Sequence, residues 1–185
     1  MIQKKITPWE TMFDVEPENR TDLVPSFPNL TLVASLIDRV PNLGGLCRTC
    51  EILGVGNFVI SNKKYLKDKD FVNLSVSSHN WVPISEVPLP TLKSFLDEQR
   101  SSGFTIVGIE QTSKSIRLED FNFPEKTVLM LGNEKEGIPV DLLQELDVCV
   151  EIPQHGLIRS FNVHVTGALV LWEYVKKQIK SKNKP

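Results

Sequence analysis

The sequence predicts a doubly wound α/β domain: a mostly parallel β-sheet with helices on both faces. Two observations carry this. Short runs of branched apolar residues alternate with longer stretches of helical period from Leu30 to about Lys177. Those runs are apolar at nearly every position rather than every second one, as in strands covered on both sides. A length of 185 residues with 41% hydrophobic and 24% charged content suits one globular domain with a full core.

Residues 1–29 carry Pro8, Pro17, Pro25 and Pro28 among polar residues, with no sustained period. An irregular arm or linker is expected there, with Trp9 and Phe13 docking locally, and the domain proper is expected over 30–185. Leu30–Ile37 reads as a buried strand. Leu43, Leu46, Cys47, Cys50 and Leu53 stand at helical spacing, and Gly54 and Gly56 come next as stop signals. Phe58–Ile60 reads as a short strand, Asp70–Val76 as a weak helix and Val82–Ile84 as another short strand. Pro90 opens a helix that Gly103 closes. Phe104–Ile109, Thr127–Leu131 and Val148–Ile152 read as strands, Asp141–Leu146 as a short helix, and Ser160 to about Lys177 as the last helix.

Composition narrows the function classes. A formal net charge of -2 argues against gross non-specific binding of polyanions. No apolar run approaches the roughly 20 residues that span a bilayer, so no membrane partner is expected. The N-terminus lacks the apolar stretch of a signal peptide. Three cysteines make no disulfide framework, and an intracellular setting, cytoplasmic or nuclear, is expected. Cys47 and Cys50 form one C-x-x-C pair that Cys149 and His155 could extend to a zinc set. Structural zinc sites usually show two tight pairs, so small core residues are the better reading and no metal is expected.

The residues hardest to explain as packing are Asn42, Arg48, Asn133, Glu134, Arg159, Ser160 and Asn162. They sit beside glycines or prolines at the ends of apolar runs, where open α/β sheets place ligands. No G-x-G-x-x-G or P-loop is present. Gly132 and Gly156 each come directly after a strand, and their two loops could cradle one small molecule; two ordinary turns are the alternative. Arg48 lies among apolar or small helix positions, where a buried guanidinium needs an anionic partner. The alternative is a surface arginine paired with Glu51 or Glu134. Ser160 suits a helix N-cap, and the same helix end can hold an anion. No G-x-S-x-G frames Ser160 as a nucleophile. Lys176 to Lys184 forms a basic tail, suited to a helix C-terminus or to phosphate.

Together these segments resemble the SpoU/TrmH branch of the SPOUT methyltransferases, which move a methyl group from S-adenosylmethionine to a ribose 2′-hydroxyl of RNA. Asn42, Gly44 and Arg48 match the first motif of that family. Gly132, Glu134 and Gly137 match the second. Ile152, Pro153, Gly156, Ser160, Asn162 and Val163 match the third. The resemblance covers about residues 30 to 178. The family commonly has Leu where Phe161 stands and Met where Gln154 stands.

The resemblance implies several things that periodicity does not. The C-terminal part would form a trefoil knot, a rare exception to unknotted topology. S-adenosylmethionine, leaving as S-adenosylhomocysteine, would lie in the knot against Glu110, Leu131, Gly132, Ile152, Leu157 and Phe161. Arg48, Asn42, Glu134, Ser160 and Asn162 would carry the chemistry on RNA, a guanosine of tRNA in the branch it most resembles. A homodimer would build the RNA site at its interface. The competing readings are a non-catalytic RNA-binding module that keeps the fold, and a base-methylating member of the same superfamily; the S-F-N-V segment favours ribose chemistry.

Overall fold

The apolar runs pair side by side and in parallel, because each leads into a crossover too long for a hairpin. The computed structural model describes residues 24–158 and 160–182. Trp9, Phe13 and Arg159 lie outside the described residues. The strands are β1 (Phe27–Val33), β2 (Val55–Ile60), β3 (Ile84–Glu86), β4 (Thr105–Ile109), β5 (Ile116–Arg117), β6 (Thr127–Leu131) and β7 (Val148–Glu151). The helices are α1 (Val40–Ile52), α2 (Lys69–Ser75), α3 (Leu89–Ser101), α4 (Val140–Leu143) and α5 (Val163–Lys182). Among the described residues the sheet order is β3-β2-β1-β6-β4-β7-β5, with every pair parallel.

Strand side chains alternate between two cores, which confirms a sheet covered on both faces. Leu30, Leu32, Phe58, Val107, Leu129 and Leu131 point to α1, α2 and α5, where they meet Leu46, Phe71 and Leu171. Val33, Val59, Ile106, Val128 and Met130 point to the other face, against Leu92 and Leu96 of α3 and Leu142 of α4. Cys47 and Cys50 are core residues of α1, and Ser78 Oγ donates to Cys47 Sγ at 3.4 Å. Burial pushes the Cys47 thiol up to about 11.

Several boundaries differ from the pattern reading. β1 starts at Phe27 and stops at Val33, because Ile37 N–H turns back to the Ala34 carbonyl at 3.1 Å. The third strand is Ile84–Glu86 rather than Val82–Ile84. The last helix starts at Val163, not Ser160, and runs on to Lys182. β5 is two exposed residues, too short and too open to leave a hydrophobic pattern.

Two helical glycines set the position of α1. Glycine inside a helix costs about 1 kcal/mol relative to alanine, yet α1 carries Gly44 and Gly45, both buried. A Cβ on Gly44 would stand 2.9 Å from the Phe71 carbonyl oxygen of α2. A Cβ on Gly45 would stand 2.5 Å from the His164 ring of α5. The pair therefore lets α1 lie directly against two neighbours.

Candidate functional site

All the strands are parallel, so their carboxyl ends share one edge, and the loops leaving that edge build the site. Ile109 of β4 pairs with Leu131 of β6. Glu110 and Gly132 are thus the first residues beyond two adjacent strand ends. A cavity of about 680 Å³ opens there, within the range of small-molecule sites. Its walls come from Arg39 and Asn42 at the start of α1, Glu110–Thr112 after β4, Leu131–Ile138 after β6, and Ser160–Val163 leading into α5.

The floor is a tight turn. Asn133 and Gly137 exchange backbone hydrogen bonds of 2.9 and 3.0 Å. Gly137 has φ +70°, a conformation that favours glycine. A Cβ on Gly132 would stand 2.6 Å from the Gly137 carbonyl carbon, so the turn folds directly onto the strand end. The Asn133 side chain closes it: Oδ1 accepts from Lys135 N–H at 2.9 Å, while Nδ2 donates to the Leu36 carbonyl and to Asp38 Oδ2 at 3.1 and 3.0 Å. Asn133 is a staple between the loops after β6 and β1.

One wall is a side-chain relay drawn from all three sequence motifs. Asn42 donates to Glu134 Oε1 at 3.0 Å. Asn162 donates through Nδ2 to Asn42 Oδ1 at 3.1 Å. Asn162 Oδ1 accepts from His164 N–H at 2.9 Å and so caps α5, the role expected of Ser160. With both ends engaged, the Asn42 amide has one orientation. Behind it, His164 Nε2 lies 3.1 Å from Thr49 Oγ1, which donates to the Gly45 carbonyl at 3.0 Å. Burial holds the His164 imidazole below its ordinary pKa.

The structure gathers most of the sequence-selected residues and leaves some apart. Asn42, Glu110, Leu131, Gly132, Glu134, Ser160, Phe161 and Asn162 line the cavity. Ile152 lines a smaller hollow that adjoins it through Glu110, Ser160 and Phe161. Leu157 is fully exposed, on an apolar hollow lined by Pro153–Ile158 and adjoining the cavity through Ser160, Phe161 and Asn162. Gly156 itself lies on that hollow, while the loop that carries it reaches the main cavity through Ser160, Phe161 and Asn162, which line it together with Gly132. β4 stands between β6 and β7, so Glu110 at its end lies between the two loops. Arg48 is exposed and off the cavity, not buried, and has no ion pair with Glu51 or Glu134 among the described residues. Arg39 and Thr112 also line the cavity without having been singled out by sequence; neither stands in a glycine-flanked motif.

No described helix is long and apolar enough to cross a membrane. A family model described as the SpoU rRNA Methylase family matches residues 29–172. The chain is 48% identical over 184 residues to the tRNA (guanosine(18)-2'-O)-methyltransferase TARBP1 of Mus musculus, covering 96% of this chain and 12% of that protein. It is 41% identical over 174 residues to the tRNA (guanosine(18)-2'-O)-methyltransferase of Saccharomyces cerevisiae, covering 94% and 12%. The chain thus spans about an eighth of the length of these two relatives. In structure it is similar to the A. aeolicus TrmH/SpoU tRNA modifying enzyme, with a TM-score of 0.73 and 26% identity over 84% of this chain and 78% of that one. It shares its fold with the SpoU methyltransferase AviRb of Streptomyces viridochromogenes in complex with AdoMet, with a TM-score of 0.70 and 24% identity over 87% and 61%.

Proposed function

Because the chain belongs to the SpoU rRNA Methylase family, we propose that it is an S-adenosylmethionine-dependent RNA 2′-O-ribose methyltransferase that acts on a guanosine of tRNA as a homodimer. One observation carries the reading: the Asn42–Glu134–Asn162 relay stands at the wall of a cavity floored by bare glycine backbone.

The cavity suits a nucleoside cofactor. Gly132 and Gly137 both line the cavity, and the Gly137 backbone fills the space where a Gly132 Cβ would stand, so the turn lies tight and flat beneath a ligand. Leu131, Ile138 and Phe161 offer apolar cover, Glu134 adds negative charge near a cationic ligand, and Glu110 stands at the end of β4 among the cofactor contacts. Leu131, Gly132 and Phe161 would hold the cofactor, with Ile152 and Leu157 on the two adjoining hollows. When bound, it supplies a methyl group already activated by a sulfonium charge. The protein's own task is to orient the ribose hydroxyl and to stabilise the charge that develops on its oxygen.

Asn42, locked by Glu134 and Asn162, presents a fixed amide to the ribose, and Ser160 is a second polar contact on the same wall. Arg48 is assigned to the developing alkoxide and the adjoining phosphate, as an electrostatic stabiliser, since arginine stays protonated. It lies six residues beyond Asn42, about 9 Å along the helix. Its exposure supports a ribose site completed across a dimer. α1 and α5 pack tightly, since a Cβ on Gly167 would overlap the Leu46 side chain. Beyond that contact they leave Ile52, Val165, Leu169 and Trp172 exposed, and Trp172 keeps 54% of its surface. A second copy is the occupant that fits this face. The trefoil knot belongs to the same reading, with α5 returning beside the β6 turn and beneath α1.

Calorimetry with S-adenosylmethionine, then nucleoside analysis of treated tRNA, tests the proposal. Micromolar binding and 2′-O-methylguanosine are expected. RNA binding without methyl transfer would favour a non-catalytic module instead.

A further inference from the structure

Glu110 is a charged side chain at the cavity whose carboxylate faces inward to the protein. Oε1 accepts from Gln111 N–H at 3.0 Å, and Oε2 accepts from Ile138 N–H at 3.0 Å. The second bond joins the end of β4 to the far side of the β6 turn, 28 residues on. A Cβ on Gly137 would overlap Oε2, so the turn backbone is pressed against the carboxylate. Gly137 in turn lies against Gly132. Glu110, Gly137 and Gly132 thus form one stack, with the carboxylate at one end and the cavity floor at the other.

An ionised carboxylate that accepts backbone N–H groups makes charge-assisted bonds, stronger than neutral ones. Without it, the Ile138 amide would be left unpaired at a position where Ile138 itself is 4% exposed. Among the described residues no other side-chain hydrogen bond joins the β4 end to this turn, and the two otherwise meet through the packing of Ile138 on Gly108. We propose that Glu110 is a positioning residue: its carboxylate sets the Gly132–Ile138 turn in the shape that receives the adenosine part of the cofactor, without contacting the sulfonium. The inference rests on the methyltransferase reading and adds a specific role to a residue otherwise counted among the cofactor contacts.

The two possible roles predict different affinities. A carboxylate acting on the sulfonium would favour S-adenosylmethionine and leave S-adenosylhomocysteine, which lacks that charge, unaffected. A carboxylate that shapes the adenosine floor serves both ligands alike. The test is calorimetric titration of both ligands into the full chain, its Glu110→Ala and Gly137→Ala variants, and the double variant, with circular dichroism as a fold check. Each single variant is expected to lose about tenfold or more in affinity for both ligands, equally. The double variant is expected to lose less than the sum of the two single losses, because removing the carboxylate makes room for the new methyl group while the strain of alanine at φ +70° remains. Loss confined to S-adenosylmethionine, or unchanged affinity in a folded Glu110→Ala protein, overturns the proposal. Additive losses overturn it as well. If Glu110→Ala does not fold, Glu110→Gln, which keeps an acceptor for Ile138 N–H, must bind both ligands within a few-fold of wild type, and a loss confined to S-adenosylmethionine overturns the proposal. A wild-type chain that binds neither ligand overturns the underlying reading and this proposal with it.

Discussion

Asn42 and Glu134, 92 residues apart in sequence, are joined by a 3.0 Å hydrogen bond from the asparagine amide to the glutamate carboxylate. The first and second motifs therefore act as one unit, and their substitutions should not add. Asn42→Ala and Glu134→Ala are each expected to slow methyl transfer to tRNA by about tenfold or more, and the double variant by little more than the worse single one. Glu134→Gln keeps an acceptor and should retain most of the rate. Single-turnover kinetics at saturating cofactor read this; strictly additive losses would show two independent residues.

Arg48→Ala should cut methyl transfer by about 10²-fold or more, in line with loss of one transition-state contact. Since Arg48 is off the cavity, cofactor affinity should stay within a few-fold of wild type. Arg48→Lys should restore little, because an ammonium cannot reproduce the planar fork. Parallel calorimetry and transfer assays separate the two effects, and a near wild-type rate in Arg48→Ala would make Arg48 structural.

Gly132→Val should abolish binding of S-adenosylmethionine. Its side chain would start 2.6 Å from the Gly137 backbone and would displace the cavity floor. Circular dichroism and thermal melting must show a folded protein for the result to count. Unchanged affinity in such a protein would place the adenosine elsewhere.

His164 makes stability depend on pH. Its folded-state pKa is lowered by burial, so between that value and the ordinary 6.5 the unfolded chain binds more protons than the folded one. The stability contribution is present above about pH 6.5 and is lost as pH falls through the folded-state pKa. His164→Gln, which can still bond Thr49, should flatten the fall in Tm between pH 7 and pH 5. Equal slopes for the two proteins would show that other groups set this dependence.

Trp172→Glu should convert a dimer to a monomer. It places a charge on the exposed apolar stripe that Val165, Leu169 and Trp172 form along α5 at helical spacing. Light scattering on the full chain is expected to show a two-fold change in mass. A monomeric wild type would remove the shared ribose site, and with it the role assigned to Arg48.

Much of the fold was legible in the residues, and the failures have a common origin. Thr127–Leu131 is apolar at nearly every position, and it is the strand expected, residue for residue. Leu43, Leu46, Cys47 and Cys50 show their helix through spacing alone. Such signals are local, set by the period of one element and by the stiffness of its own side chains. Asn42, Glu134 and Asn162 stood out because no packing period explains them, and the fold brings them into one relay. Their partners were not legible: nothing near Asn133 shows that it binds the Leu36 carbonyl, 97 residues earlier. The Gly132 and Gly156 loops looked alike in sequence, yet the first meets the cavity with its glycine and the second with Ser160, Phe161 and Asn162, a difference no local period shows. Arg48 shared a helix with buried residues, so its sequence left burial and exposure both open, and the helix turns it outward. The sequence by itself determined the long strands and helices and which side chains have no packing role, but not the two-residue β5. Only the tertiary structure decided which strand ends are neighbours and which helix faces stay open, because those depend on pairing between segments whose own periods say nothing of one another.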